Sequence, residues 1–134
     1  MIRAAVVDDD VLVLSMMRRT LQLYGFEVAC HSGVQAFFWH FDSRRPPDVV
    51  FCDVMMPVED GVQLYRRLEA HLEGRMPFFV FMTAMEPGRE LQEILRENAS
   101  VKLLRKPFSL QELRRTVSGF DSSRSGDTDA FDAS

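Results

Sequence analysis

The sequence predicts an α/β fold, a three-layer sandwich in which five helices cover both faces of a five-stranded parallel sheet. Five short apolar runs alternate with five segments of helical periodicity, about 25 residues apart, as in consecutive βαβ units with right-handed crossovers. The runs are mostly continuous in apolar residues, which is typical of strands covered by helices on both faces. The length of 134 residues suits one domain and is too short for two full cores.

The predicted elements follow in chain order from these patterns. We place the strands at Ile2–Val7, Glu27–Cys30, Val49–Cys52, Phe78–Met82 and Val101–Leu104. Apolar residues three and four apart mark the helices: Val13, Met16, Met17, Leu21 and Tyr24; Val34, Phe37, Phe38 and Phe41; Val62, Leu64, Leu68 and Leu72; Leu91, Ile94 and Leu95; Leu110, Leu113 and Val117. Gly25 and Gly74 end the first and third helices, and Ser109 with Glu112 forms a capping box before the fifth.

The charge is unevenly distributed along the chain. Beyond Phe120 the chain holds four aspartates and one arginine, whereas the first 120 residues hold 16 acidic and 15 basic residues. Such a nearly neutral body has no electrostatic footprint for nucleic acid, so we expect no nucleic-acid partner. The composition then turns to Ser, Asp, Gly and Ala, and we therefore assign residues 1–119 to the domain and residues 120–134 to a disordered acidic tail or the start of a linker.

Two features indicate the compartment. No apolar run reaches the roughly 18 residues of a membrane span, and Met1 leads into a strand-like segment rather than a signal sequence. Cys30 and Cys52 both lie in apolar strand-like runs, which is typical of buried free thiols in a reducing compartment. We therefore expect a cytoplasmic protein that does not bind a membrane.

The carboxyl ends of the predicted strands carry the polar residues of chemical interest. Those residues are Asp8, Asp9 and Asp10 after the first strand, Asp53 after the third, Thr83 and then Ala84 after the fourth, and Arg105 and Lys106 after the fifth. In an open parallel sheet the strands end along one edge, where ligands bind. The sequence thus predicts one site that combines carboxylates, a hydroxyl and an ammonium group.

Carboxylates this close raise one another's pKa unless a cation joins them. Oxygen ligands favour Mg²⁺ or another hard divalent cation. With such a cation, we expect Asp53 to act as a nucleophile that forms an acyl phosphate, while Lys106 and Thr83 contact phosphoryl oxygens. The alternative for a single aspartate is a helix N-cap, above all for Asp10.

Together these residues resemble the receiver domain of two-component response regulators, over about residues 1–119. The matching segments are Val6-Val7-Asp8-Asp9-Asp10, Asp53-Val54-Met55-Met56-Pro57 with Asp60-Gly61, Thr83-Ala84, and Lys106-Pro107-Phe108. The resemblance implies the flavodoxin-like fold of chemotaxis regulators, with strand order 2-1-3-4-5. It also implies a phosphoacceptor signalling domain rather than an enzyme, with only Mg²⁺-dependent self-catalysed phosphotransfer and autodephosphorylation.

The resemblance implies a role for each acidic residue. Asp53 would be the phosphoacceptor. Asp9 and Asp53 would ligate Mg²⁺ directly and Asp8 through water, and the backbone carbonyl of Met55 would complete the protein ligands.

The same resemblance assigns the remaining positions. Thr83, Ala84 and Lys106 would contact the phosphoryl group, and the Lys106–Pro107 peptide bond would be cis. Leu103 occupies the switch position, where family members usually carry tyrosine or phenylalanine that moves inward as the threonine engages phosphate. A leucine offers no hydroxyl and less area, so this departure puts the coupling from Thr83 in question.

The implied partners are a sensor histidine kinase or phosphotransfer protein and a downstream protein or output domain. Phosphorylation would change the face made by the fourth helix, fifth strand and fifth helix, and a phosphorylation-dependent dimer would form through that face. Glu59 stands where the family usually has an apolar residue, and we expect it to face solvent near the mouth of the site.

Two other functions compete with this interpretation. Asp8 and Asp10 form the D-x-D pair of haloacid-dehalogenase-like phosphatases, in which the first aspartate is the nucleophile, but only Glu86 lies where further acidic ligands would be needed. The second rival is a non-switching, receiver-like adaptor that binds protein partners, which Leu103 favours. Trp39 does not fit the inward stripe of its helix, so it either lies along its own helix or faces outward as part of a partner-binding surface.

Overall fold

The computed structural model describes the backbone of residues 1–125 and the side chains up to residue 120. Within these residues the elements are β1 (Arg3–Val7), α1 (Val11–Leu23), β2 (Glu27–His31), α2 (Val34–His40), β3 (Val49–Asp53), α3 (Gly61–Leu72), β4 (Phe78–Thr83), α4 (Arg89–Glu97), β5 (Val101–Arg105) and α5 (Leu110–Ser125). The strands form one sheet in the order β2-β1-β3-β4-β5, with parallel pairing between all neighbours. The predicted fold class and strand order are confirmed.

Two apolar cores lie on opposite faces of the sheet. One packs alternate strand residues against α1 and α5, and its buried members include Val6, Phe51, Val80, Met82, Leu104, Met17, Leu21, Leu113 and Val117. The other packs the intervening strand residues against α2, α3 and α4, and includes Val7, Val50, Cys52, Phe79, Phe81, Phe37, Leu64, Leu68 and Ile94. Because side chains alternate along a strand, each strand end presents successive residues to opposite faces.

The last three strands each extend one residue beyond the predicted apolar run. Asp53, Thr83 and Arg105 are strand residues, paired as Asp53 with Met82 and Thr83 with Arg105. Strand pairing uses backbone N–H and C=O groups, so a polar side chain does not end the ladder. The residues of chemical interest are thus held by the sheet itself.

Helix packing differs from the sequence prediction at two positions. Leu110, predicted to face the core, is 60% exposed because it is the first residue of α5, at the edge of the layer. Tyr65, which lies outside the predicted stripe of α3, is buried against the rings of Phe79 and Phe81. The proposed domain boundary after residue 119 falls inside α5, where Phe120 packs against Phe78 in the core. The rest of the expected tail, residues 126–134, lies outside the described residues.

None of the helices within residues 1–125 combines the length and the apolar character of a membrane span. Both cysteines are free thiols; Cys52 is buried and Cys30 is half-buried. Burial is the main reason that the pKa of each thiol is raised.

Candidate functional site

Three carboxylates meet at the carboxyl edge of the sheet. Asp8, Asp9 and Asp53 each place one oxygen within 4.8 Å of the others. Asp8 is fully buried and Asp53 is only 6% exposed, whereas Asp9 is exposed at the mouth of the site. Two buried carboxylates and an exposed one, with their oxygens this close together, suit a hard divalent cation such as Mg²⁺.

The aspartate run divides into three local roles. One oxygen of Asp8 accepts a hydrogen bond from the backbone N–H of Asp10, at 2.9 Å, which fixes the Asp8 carboxylate in the site. Asp10 itself is the N-cap of α1 and accepts from the backbone N–H of Leu12 at 2.9 Å. The N-cap interpretation is therefore correct for Asp10, and Asp8 and Asp9 remain for the site.

Lys106 supplies the positive charge of the site. Its amine lies 2.7 Å from an oxygen of Asp8 and 3.4 Å from an oxygen of Asp53. Burial disfavours the charged amine, but the hydrogen bond to Asp8 and the charge of Asp53 outweigh it and raise the pKa of Lys106. The backbone N–H of Lys106 donates to the Thr83 carbonyl at 2.8 Å, and the peptide bond from Lys106 to Pro107 is cis.

The acidity of Asp53 reflects its crowded surroundings. Burial and repulsion from the Asp8 carboxylate raise the pKa of Asp53 to about 6, against the opposing attraction of Lys106. Asp53 is therefore ionised at neutral pH, although its negative charge is poorly stabilised. A bound cation would relieve this repulsion and would make the carboxylate available as a nucleophile.

Thr83 continues the opposite face of the sheet. Asp53 lies two residues after Phe51 and so on the same face of the sheet, beside α1 and α5. Thr83 lies two residues after Phe81, on the face that is covered by the other core. The Thr83 hydroxyl exchanges hydrogen bonds with the backbone of Met85, accepting from its N–H at 3.1 Å and donating to its carbonyl at 3.2 Å. The structure thus brings Asp8, Asp9, Asp53 and Lys106 together, with the Thr83 hydroxyl turned toward its own loop.

The loop between β3 and α3 packs tightly under Asp53. The N–H of Gly61 donates to the Val54 carbonyl at 2.9 Å, and a Cβ atom at this glycine would overlap the Asp53 carbonyl oxygen. In the same loop Val58 has φ of 73°, and the N–H of Glu59 donates to the Pro57 carbonyl at 2.9 Å. This three-residue turn is strained for a β-branched residue.

We expected Glu59 to face solvent, but its side chain is only 28% exposed and forms an ion pair. Its carboxylate accepts two hydrogen bonds from Arg67 of α3, at 2.7 and 2.9 Å. The Arg67 guanidinium in turn lies 4.2 Å from the centroid of the Phe38 ring of α2. This cluster neutralises Glu59 and links the loop to two helices; no sequence periodicity relates its three members.

The other predicted site positions lie around the pocket. Leu103 is half-buried on the α4 side of β5, in register with Phe81. Ala84 is exposed, and the side chains of Met55 and Met85 are each 58% exposed. Trp39 is 83% exposed.

Comparison with known proteins gives one family. The model of the response regulator receiver domain matches residues 4–118. The response regulator MprA of Mycobacterium tuberculosis (strain ATCC 25618 / H37Rv) is 37% identical over 113 residues, which cover 84% of this chain and 47% of MprA. The regulatory protein AtoC of Escherichia coli (strain K12) is 34% identical over 115 residues, which cover 86% of this chain and 24% of AtoC. This chain therefore spans less than half the length of these relatives.

Solved structures show the same fold. The chemotaxis protein CheY4 of Vibrio cholerae superposes with a TM-score of 0.77 at 23% identity, covering 90% of this chain and 98% of that one. The BeF3-activated DrrB receiver domain gives a TM-score of 0.74 at 23% identity, covering 91% and 98%. With the family match over residues 4–118, these findings show that the chain belongs to the receiver domains of two-component response regulators.

Proposed function

We propose that this chain accepts a phosphoryl group on Asp53 from a phosphohistidine of a sensor histidine kinase or phosphotransfer protein, and then changes conformation. The observation that carries the proposal is the pocket itself. A nearly buried Asp53 lies with Asp8 and Asp9 at the strand edge, and the Lys106 amine is 3.4 Å away. This arrangement supplies a nucleophile and countercharge for a phosphoryl group.

In the transfer step, an Asp53 carboxylate oxygen forms a bond to phosphorus as the bond between phosphorus and the donor imidazole nitrogen breaks. The electron pair of that bond stays on the nitrogen, so the donor leaves as a neutral imidazole once it carries one proton. Lys106, Thr83 and Ala84 contact phosphoryl oxygens. Water later attacks the phosphorus atom, the bond from phosphorus to the Asp53 oxygen breaks, and inorganic phosphate leaves while Asp53 returns to its carboxylate form.

The oxygen donors of the pocket fit Mg²⁺. Asp9 and Asp53 would hold the ion directly, Asp8 through water, and the backbone carbonyl of Met55 would complete the protein ligands. When bound, the ion would neutralise part of the charge that develops on the phosphoryl group.

The output requires a second partner. We propose a downstream protein or an output domain that recognises the face formed by α4, β5 and α5, with dimerisation through that face after phosphorylation. Phosphate would act by shifting a pre-existing equilibrium between inactive and active conformations. The free thiols fit action in the reducing cytoplasm.

Intact mass spectrometry after incubation with acetyl phosphate and Mg²⁺ tests the proposal. We expect the mass to increase by one phosphoryl group, and expect no increase in Asp53→Asn or with EDTA. A wild-type protein that is folded and gains no mass would overturn the proposal, and a persisting gain in Asp53→Asn would place the acceptor elsewhere.

One observation favours a second candidate, a receiver that binds partners without switching. Leu103 lacks the aromatic ring that usually couples the threonine to the output face. In addition, the Thr83 hydroxyl is hydrogen-bonded to the backbone of Met85. Beryllofluoride with Mg²⁺ distinguishes the two functions. Amide resonances of α4 and β5 that shift on binding support switching, whereas binding without such shifts supports the adaptor.

A further inference from the structure

An ion pair joins the loop after β4 to the end of β5. The guanidinium of Arg105 donates two hydrogen bonds to the carboxylate of Glu86, at 2.7 and 2.8 Å. Both side chains are exposed, with 50% and 80% of their surface in solvent. The two parallel bonds fix the relative position of the two groups more closely than a single contact would.

This pair lies beside the hydroxyl that the phosphoryl group would engage. Arg105 is the direct partner of Thr83 in the parallel pairing of β4 and β5. The hydroxyl of Thr83 is bonded to the backbone of Met85, the residue before Glu86. In the loop after Thr83, Met85 is therefore held by the Thr83 hydroxyl, and the next residue, Glu86, is held by Arg105.

We propose that the Glu86–Arg105 pair is a latch that holds this loop in the conformation with the Thr83 hydroxyl on Met85. The inference rests on the proposed function, because a phosphoryl group on Asp53 is the acceptor that would draw that hydroxyl away from Met85. For the hydroxyl to engage a phosphoryl group on Asp53, its hydrogen bonds to the Met85 backbone must break, and the latch opposes this by holding Glu86, the next residue, in place.

An exposed pair of this kind has a modest effect that salt weakens. The latch therefore sets a bias rather than a block. Releasing it is expected to increase the population of the phosphorylation-competent conformation by about 1.5- to 5-fold, the range for exposed ion pairs. The rate of phosphorylation would increase by the same factor while that conformation is a minority.

The first test measures the rate of phosphorylation by acetyl phosphate with Mg²⁺ in wild type, Glu86→Gln, Arg105→Gln and the charge-swapped double variant Glu86→Arg/Arg105→Glu. The latch predicts that both single variants react faster and that the swap returns the rate toward that of wild type. Simple attraction of the anionic donor predicts that Glu86→Gln is faster and Arg105→Gln slower, and that result would overturn the latch.

A second test needs no phosphodonor and so separates failure of the latch from failure of the proposed function. Hydrogen exchange of the Met85 amide, which is bonded to the Thr83 hydroxyl, should be faster in Glu86→Gln than in wild type. Glu59→Gln, which weakens an ion pair in which one Arg67 nitrogen donates to both carboxylate oxygens, should leave that amide unchanged. Unchanged Met85 exchange in Glu86→Gln would overturn the latch even if the protein accepts phosphate normally.

Discussion

The Lys106 amine donates a hydrogen bond to Asp8 at 2.7 Å, across 98 residues of sequence. Because the Asp8 side chain is fully buried, this contact and the hydrogen bond from the Asp10 N–H replace the water that its carboxylate has lost. We predict that Lys106→Met lowers the free energy of unfolding by about 1–3 kcal/mol, the cost of leaving a buried polar group without its partner.

Urea unfolding at pH 7.5 with EDTA measures this effect. Lys102→Met, at an exposed position of β5, the strand that ends just before Lys106, is the matched control and should change stability by less than about 0.5 kcal/mol. Equal effects of the two substitutions would contradict a structural role for the Lys106–Asp8 bond.

The raised pKa of Asp53 makes stability depend on pH. The folded protein holds the Asp53 proton more tightly than the unfolded chain, because burial and Asp8 raise the pKa from 3.8 to about 6. The stability contributed by this group is therefore present in acid and is lost as the pH rises from about 4 through 6. We predict that Asp53→Asn stabilises the metal-free protein more at pH 7.5 than at pH 5. Urea unfolding in EDTA at both values checks this, and a gain that does not grow with pH would argue against it.

Asp9 and Asp10 are adjacent in sequence, yet they should respond differently to Mg²⁺. Asp9 contributes an oxygen to the carboxylate cluster, whereas Asp10 caps α1. Since an ion that binds only the folded state raises the melting temperature, Asp9→Asn should reduce the Mg²⁺-induced rise. Asp10→Asn should retain it, because asparagine is an equally good N-cap. Thermal melts over a Mg²⁺ titration measure both, and an equal loss in the two variants would exclude this division of roles.

Gly61 is required by space rather than by backbone conformation. A Cβ atom there would overlap the Asp53 carbonyl oxygen and lie 3.1 Å from the Val54 Cα, and both are backbone atoms that cannot move aside cheaply. Gly61→Ala should therefore destabilise the protein by about 1–3 kcal/mol and slow phosphorylation. Gly119→Ala in α5, where a Cβ meets nothing within 4 Å, should instead be stabilising by about 0.5–1 kcal/mol. Chemical unfolding of both variants gives the comparison, and a neutral Gly61→Ala would refute the packing argument.

Val58 stores strain next to the site. Its φ is 73° and its side chain is 99% exposed, so packing does not compensate for the conformation. Positive φ costs an L-residue about 1–2 kcal/mol, which exceeds the roughly 0.5–1 kcal/mol entropic cost of glycine. Val58→Gly should therefore stabilise the fold, whereas Val11→Gly at the exposed start of α1 should destabilise it. Unfolding curves with the same sign for both substitutions would contradict the strain.

The sequence predicts the sheet and most of the pocket because both depend on strand ends. A parallel sheet brings those ends to one edge, so Asp8, Asp53 and Lys106 converge wherever the apolar runs are placed correctly. The sequence does not predict that Asp53 and Thr83 are themselves strand residues. Polarity indicates where an apolar run ends, but it does not indicate where backbone pairing ends.

The contacts that the sequence did not predict join side chains from different elements, which come together only in the folded structure. The Arg67 side chain joins Glu59 to the Phe38 ring, and the members of this cluster come from a loop and two helices. The sequence did not predict that Tyr65 is buried, because tyrosine carries a hydroxyl and is often only partly buried. In the structure its ring packs in the core under α3.

The side chains of Arg105, the last residue of β5, and of Lys106, the next residue, point to opposite faces of the sheet. Lys106 lies on the same face as Leu104, two residues earlier, and contacts Asp8. Arg105 lies on the same face as Leu103 and contacts Glu86. Deleting one residue within β5 would move every later residue back by one place, so Lys106 would take the surface position of Arg105 and Arg105 would take the buried position of Leu104. The Asp8 pocket would then lack its amine. Natural variants of this chain should therefore change length in the turns on either side of β5 and never by a single residue within it.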